Sequence, residues 1–328
     1  MFHLERETFD AMGTLCATAA TAGTGDIISA RRAIDAARAE VAACERVLTR
    51  FDTRSDLSRL NRANGAWITV DIRLVEALGA ALKAREDTGG RFDPTVLPAL
   101  IAAGYDRSFE LVTERASTPL DDWHAGALIE VDARSSRARI EPGAAADLGG
   151  IGKGYAATRA LHAMRTTWPA LTGALVDLGG DISVWGAPPE GGPWLVDIAD
   201  PRAHDLVAGT LRIRGGGVAT SGRDARRFGP DGGLHHLIDP ATGGPAFAGP
   251  LAVTVVAGTA TEAEAHATAL AVTGIDEARS YVRARPDIAA LVIPELDPPI
   301  AIGQLPLVRE RPRVRLAITT QRGGSPWH

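Results

Sequence analysis

Two short stretches carry oxygen and nitrogen groups at spacings that chemistry can use. The first is Asp147-Leu-Gly-Gly-Ile-Gly-Lys-Gly-Tyr155, with one acid, one lysine and four glycines, set between an alanine run at 144–146 and a helix-like segment at 156–164. Glycine lets a backbone approach a ligand closely and take up positive φ, so this loop can present amides and carbonyls to charged groups. A helix starting behind it would aim unpaired N–H groups at the same place, which suits a phosphate, and Lys153 adds a cation. The second stretch holds Glu264 and Thr268. Four residues apart on a predicted helix, their oxygens point to one face. A carboxylate and a hydroxyl, completed by backbone carbonyls and water, form the oxygen-only set that Mg²⁺ accepts. The small residues Ala263, Ala265, Ala267 and Ala269 would let that helix come very close to a glycine loop. His266 points off the Glu264/Thr268 face and reads as structural.

Three further groups could act on a ligand. His235-His236 precedes Asp239-Pro240, and a histidine of near-neutral pKa can take a proton from an attacking hydroxyl. Thr220-Ser221-Gly222 lacks the Gly-x-Ser-x-Gly elbow, so Ser221 reads as a ligand contact rather than a nucleophile. Asp93, ahead of Pro94-Thr95, is an acid on a rigid turn that could bind a ring N–H or a ribose hydroxyl. The glycine loop is neither of two familiar phosphate motifs. A Walker loop needs glycine first and Ser or Thr last, where this chain has Asp147 and Gly154. Gly150, Gly152 and Gly154 recur at every second residue, which is not Gly-x-Gly-x-x-Gly. Taken alone, the loop also fits a tight strand-to-helix turn.

The elements that must position these groups follow from periodicity. Residues 8–20 read as a first strand, with Gly13 as a point of close approach. From Asp26 to about Arg50, Ile34, Ala37, Val41, Cys44 and Leu48 recur at three and four and predict a helix. A polar segment, 51–61, then runs to the Asn64-Gly65 turn, and a second helix carrying Leu74, Leu78 and Leu82 ends at Gly89-Gly90. Pro94 forces Asp93 out of helical geometry. Short strands are predicted at 127–131 and 137–140. Residues 174–184 alternate apolar side chains around a second Asp-Leu-Gly-Gly at 177–180, an echo of 147–150 that reads as coincidence in a chain with 36 glycines. Strands at 194–198, 206–213, 252–256 and 288–293 and helices at 261–272 and 276–284 follow, then one more strand at 308–320 and a frayed tail at 321–328. No composition break marks a linker, so residues 1–320 read as one mixed α+β domain.

Composition excludes other classes. With 35 Lys+Arg against 40 Asp+Glu in 328 residues, no basic face is implied and nucleic acid is not an expected partner. Cys16 and Cys44 make neither a disulfide framework nor a zinc site, and Cys44 falls on an apolar helical stripe. No run of eighteen apolar residues predicts a membrane span, and Met-Phe-His-Leu-Glu-Arg-Glu lacks the apolar core of an export signal. The expectation is a soluble, cytoplasmic chain.

In order along the chain, these segments resemble the ApbE family, the FAD:protein FMN transferases. The matching motifs are Ala11-Met-Gly-Thr14, Arg50-Phe51 followed by Ser55-Asp-Leu-Ser-Arg-Leu-Asn61, Gly90-Arg-Phe-Asp-Pro-Thr-Val96, Asp147 to Tyr155, Val176-Asp-Leu-Gly-Gly-Asp181, Ala219 to Gly222, His236 to Gly243 and Ala263 to Leu270. The resemblance implies a single T-fold-like domain whose two lobes clasp a flavin, and an enzyme that binds FAD and uses Mg²⁺. It would move FMN onto a Thr or Ser hydroxyl of an acceptor protein and release AMP. Met12, Phe51, Arg91, Phe92, Asp93, Asp147, Lys153, Ser221 and Ile238 would then line the FAD site. Gly150 and Ala267 (through carbonyls), Glu264 and Thr268 would hold the metal. His236 is the family's candidate base, with Lys153 and Asp239 the other catalytic candidates. Hydrolysis of FAD to FMN and AMP needs the same site, and flavin binding without catalysis is a reading of a different class.

Two departures bear on the site. Glu264 stands where the family usually has Asp, which moves the carboxylate by about one bond length and, because Mg²⁺ is strict about geometry, admits Mn²⁺ as an alternative. Thr158 replaces a common Asp one turn into the helix behind the glycine loop, which puts a local helix contact in question.

Overall fold

In the computed structural model, which describes residues 2–106, 123–223, 227–228, 234–247 and 249–308, the centre is an antiparallel eight-stranded sheet. Its strands are β1 (Phe2–Ala11), β2 (Thr14–Gly23), β6 (Gly173–Leu178), β7 (Asp181–Gly186), β10 (Gly215–Gly222), β15 (Ala252–Ala257), β16 (Ala289–Ile293) and β17 (Ile300–Ile302), adjacent in that order. Between them in the chain run α1 (Ile27–Leu48), α2 (Asp56–Asn61), β3 (Ile68–Thr69), α3 (Ile72–Asp87), α4 (Leu97–Ala102), β4 (Ile129–Asp132), β5 (Arg137–Ile140) and α5 (Gly152–Thr167). The later insertions are β8 (Trp194–Asp200), β9 (Ala203–Ile213), β11 (Arg227–Phe228), β12 (Leu234–His235), β13 (Ile238–Asp239), β14 (Gly244–Pro245), α6 (Ala260–Ala271) and α7 (Ile275–Arg283).

The sheet is buried on both faces, and the two-residue period of a strand decides what each side chain meets. In β6, Ala174, Val176 and Leu178 pack with α1, α3 and α5, while Leu175 packs with Trp194, Val196 and Leu211 of the β8–β9 hairpin. In β16, Ala290 and Val292 join the cluster under α6 and α7, while Leu291 and Ile293 face the hairpin. Such strands read as nearly unbroken apolar runs, as 289–293 does. Among the described residues, no helix is long and apolar enough to cross a membrane.

Both major helices predicted in the first quarter form, and Cys44 is fully buried on the inner face of α1. Three expectations are corrected. The predicted strand at 8–20 is a hairpin, broken at Met12 (φ 52°) and Gly13 (φ 68°), the paired positive angles of a type I′ turn. Gly13 therefore serves turn geometry, and a Cβ there would meet nothing within 4 Å, so it is not a close-approach point. The polar segment at 51–61 contains α2, whose N-terminus is capped by the Ser55 hydroxyl accepting from the Ser58 N–H at 3.0 Å. A six-residue helix shows too little periodicity to be seen in sequence. As expected, the second Asp-Leu-Gly-Gly is no repeat of the first: Gly179 and Gly180 have φ of 69° and 98° in the β6–β7 turn, whereas Gly149 and Gly150 keep negative φ ahead of α5. The strand expected at 308–320 falls, from residue 309 on, outside the described residues, as does the tail.

Candidate active site

The α5–α6 joint forms the floor of the site. Gly154, in the first turn of α5, is where the two helices come closest: a Cβ there would lie 2.2 Å from the Ala260 carbonyl oxygen and 3.1 Å from Glu264 Cβ. The contact lets Glu264, 3 % exposed, reach across, and its Oε2 accepts the Gly154 N–H at 2.7 Å. No side chain of its own caps α5, and its first turn has no acid, so a carboxylate from α6 satisfies one orphan donor and meets the positive end of the helix. The other oxygen, Oε1, accepts from Lys153 Nζ at 3.3 Å. Lys153 also donates to Asp181 Oδ2, a 2 % exposed side chain on β7 just past the glycine turn. Thr158, in place of the expected acid, binds the same joint: it donates to the Gly154 carbonyl at 2.8 Å and accepts from the Thr261 N–H at 3.3 Å.

One turn along α6, Thr268 meets the loop ahead of α5. Its hydroxyl donates to the Gly150 carbonyl at 3.2 Å and lies 3.3 Å from Ser221 Oγ on β10. Gly150 leaves room for this: a Cβ would stand 3.0 Å from the Thr268 side chain and 3.2 Å from the Phe92 ring. Two of the expected oxygens have the spacing a small hard cation asks for. Ligands about 2.1 Å from Mg²⁺ and at right angles are roughly 3 Å apart, close to the spacing of the Gly150 and Thr268 oxygens. Glu264 lies one turn away on the same helix. Ala267 is different, for its side chain is fully buried in the core beneath α6 and its carbonyl, inside the helix, has only its second lone pair to offer.

A third cluster surrounds Asp147. Arg50 Nε donates to Asp147 Oδ2 at 2.7 Å, and Asp147 Oδ1 accepts the Gly149 N–H at 2.7 Å, so this ion pair sets the entry to the glycine loop. The Arg50 guanidinium stacks on Phe51 at 4.3 Å and Tyr105 at 4.8 Å, which leaves the Phe51 ring 45 % exposed beside the loop. Met12, at the turn of the first hairpin, donates its N–H to Glu45 at 2.6 Å.

Other expected residues are engaged differently. Arg91 pairs with Glu277 of α7 and donates to the Thr88 carbonyl. Asp93 is buried, and its Oδ1 accepts both the Thr95 N–H at 2.8 Å and the Thr95 hydroxyl at 2.7 Å, so that oxygen organises the turn. Its neighbourhood still opens on a cavity of about 910 Å³ lined by Asp93, Gly89, Gly90, Lys83 and Gly126. Asp239 Oδ1 accepts the Ala241 N–H, which makes it a turn-former of the β13–β14 hairpin. Ile238 is buried against Leu97, Leu100 and Tyr105, and so ties the His236 segment to α4. Trp123 holds the same segment, donating Nε1–H to the Pro240 carbonyl at 2.8 Å. His236 itself is half-buried between β12 and β13. His266, as expected, is structural: buried, with Nδ1 2.9 Å from the Tyr281 hydroxyl.

Sequence reasoning gave no role to Asp177 or Asp181, although both flank the Gly179-Gly180 turn. The signal was there, in two acids that bracket a Gly-Gly turn: Asp181 meets Lys153, while Asp177 is buried on the face of β6 that it shares with Leu175. Burial pushes the Asp177 carboxyl up from 3.8 to about 6, against the pull of the Gly180 N–H and Lys153. The folded protein therefore keeps a proton on Asp177 that the unfolded chain has released, and stability falls as pH rises between 3.8 and about 6. That difference corresponds to on the order of 3 kcal/mol. Asp177→Asn should accordingly gain stability relative to the parent at pH 7.5 but not at pH 4, in paired denaturation curves. An equal difference at both pH values would contradict the assignment.

A model of the ApbE family matches residues 12–292. The chain belongs to the ApbE family. Among curated ApbE relatives, the FAD:protein FMN transferase of Treponema pallidum is 34 % identical over 267 residues, covering 76 % of this chain and 73 % of that protein. The FAD:protein FMN transferase of Escherichia coli K12 is 30 % identical over 249 residues, with 73 % and 70 % covered. The crystal structure of the ApbE protein of Thermotoga maritima superposes with a TM-score of 0.78 at 28 % identity, covering 92 % of this chain and 97 % of that one. The flavin transferase ApbE of Vibrio cholerae, at 21 % identity and a TM-score of 0.77, shares the fold. The mixed α+β, single-domain expectation is thereby met.

Proposed function

We propose that this ApbE-family enzyme transfers FMN from FAD to a Thr or Ser hydroxyl of an acceptor protein and releases AMP. The observation that supports the reading is that the Gly150 carbonyl, Thr268, Glu264 and Lys153 gather where the start of α5 meets α6, oxygen donors beside an ammonium of the kind a diphosphate and its counter-ion need. In the reaction the acceptor oxygen bonds to the FMN-side phosphorus, the anhydride P–O bond breaks, and AMP leaves with the electron pair. The hydroxyl proton goes to His236 as base.

Several residues of the site have a part in this scheme. Lys153 adds charge where negative charge develops. Arg50 fixes Asp147 and thereby the loop, while the exposed Phe51 ring and Met12 offer apolar surface to the flavin. Phe92 backs Gly150, and Ser221 supports Thr268. Gly150, Thr268 and Glu264, with the Ala267 carbonyl, would hold Mg²⁺ or Mn²⁺. The ion, when bound, supplies Lewis-acid stabilisation of the diphosphate.

The test is intact-mass analysis of a candidate acceptor after incubation with the protein, FAD and Mg²⁺. A gain of one FMN on the acceptor is expected, and none with EDTA or with the acceptor hydroxyl removed. Rapid AMP release at an unchanged acceptor mass would instead establish hydrolysis.

A further inference from the structure

Both oxygens of Glu264 are already engaged, one by the fixed Gly154 N–H and the other by Lys153. Each oxygen keeps a lone pair, but an ion taken up by Glu264 beside Thr268 and Gly150 would stand a few ångströms from the Lys153 ammonium, and the two positive charges repel. The backbone N–H belongs to a helix held against Ala260 and has nowhere to go, whereas Lys153 has a flexible stem and a second carboxylate partner, Asp181. We infer that Lys153 is a displaceable internal counter-ion of Glu264, and that Asp181 is the positioning residue that retains its ammonium when a divalent ion takes Glu264. The inference rests on Glu264 being an ion ligand.

The electrostatics are asymmetric. Two carboxylates, 2 % and 3 % exposed, share one ammonium, and at such burial the removal of a unit charge a few ångströms away outweighs solvent screening. With Asp181 present, the ammonium keeps a partner after Glu264 is taken, so the exchange is inexpensive. Without Asp181, the ion must break the ammonium's remaining carboxylate contact. Ion affinity therefore depends on which member of the pair is removed, and in opposite directions. A ligand that binds one of two competing arrangements better shifts the balance by its differential affinity alone.

Mn²⁺ titration of the full chain without FAD, reading the free aqua ion by its EPR signal, tests this. Lys153→Met, which keeps most of the stem, should tighten Mn²⁺ binding by about tenfold or more, Asp181→Asn should weaken it by about tenfold, and Lys153→Arg should not tighten it. Circular dichroism checks that each variant is folded. A packing defect would weaken binding in every case and could not produce a tightening. Folded Lys153→Met that binds no tighter than the parent overturns the inference, and so does folded Asp181→Asn that binds as tightly as the parent. Either variant decides the matter if the other fails to fold. A parent protein that binds no Mn²⁺ at all would overturn the ion site itself, a result distinct from a parent that binds while Lys153→Met shows no gain.

Discussion

His236→Ala is expected to slow FMN transfer by about 10²–10⁴, the usual worth of a positioned general base, while FAD affinity stays within a fewfold of the parent. The separation of the two effects follows from where the residue sits. His236 lies on a short segment between β12 and β13 that is anchored from behind, by Ile238 on α4 and by the Trp123–Pro240 hydrogen bond. The groups proposed to meet the diphosphate lie on the loop before α5 and on α6, elements other than the segment that carries His236. Truncation should therefore remove a proton acceptor and leave the nucleotide site standing. Single-turnover transfer to the acceptor, read by intact mass, and FAD binding, read by quenching of flavin fluorescence, measure the two quantities separately. Transfer within threefold of the parent would remove His236 from the mechanism. A parallel loss of FAD binding would make it a structural residue.

Gly154→Ala is expected to destabilise the protein by about 3 kcal/mol or more and to abolish ion-dependent transfer. Two effects oppose each other at this position. Alanine is the better helix former by about 1 kcal/mol, so an open site in the first turn of α5 would gain from the change. At Gly154, however, the new methyl would stand 2.2 Å from the Ala260 carbonyl oxygen and 2.7 Å from its carbon, and neither is a side chain that can swing away. The helices must move apart, and overpacking of that kind outweighs the propensity gain. Separation breaks the Gly154–Glu264 hydrogen bond and draws Glu264 away from Lys153, so stability and ion binding are lost together. Urea denaturation and Mn²⁺ titration report both. A variant more stable than the parent would show that α5 and α6 are not in contact at this point.

Much of the site was legible because helical spacing is short-range geometry. Glu264 and Thr268 share a face of α6 as their four-residue separation requires, and the alanines beside them foretold the close approach that the Gly154 contact now explains. The glycine loop before α5 was equally plain. What the spacing could not reveal was how these groups pair. Arg91 and Asp93 sit in the same short stretch as Phe92, yet Arg91 turns to Glu277, 186 residues on, and one oxygen of Asp93 turns to Thr95. A charged side chain goes to whatever partner relieves its desolvation, and that partner is chosen by the fold.

By itself, the sequence determined the mixed α+β class, the helix carrying Glu264 and Thr268, the glycine loop and the order of motifs that marks the family. Those features depend on local periodicity and turn chemistry, which a few consecutive residues encode. Only the tertiary structure decided that the 8–20 stretch folds back on itself, and that Asp181 joins Lys153 from a different hairpin while Asp177 is buried in that same hairpin. It alone showed that Glu264 caps α5 from the neighbouring helix. Each of these joins groups distant along the chain, and their pairing is set by packing and by the cost of burying a charge unmatched, neither of which appears in any short window of residues.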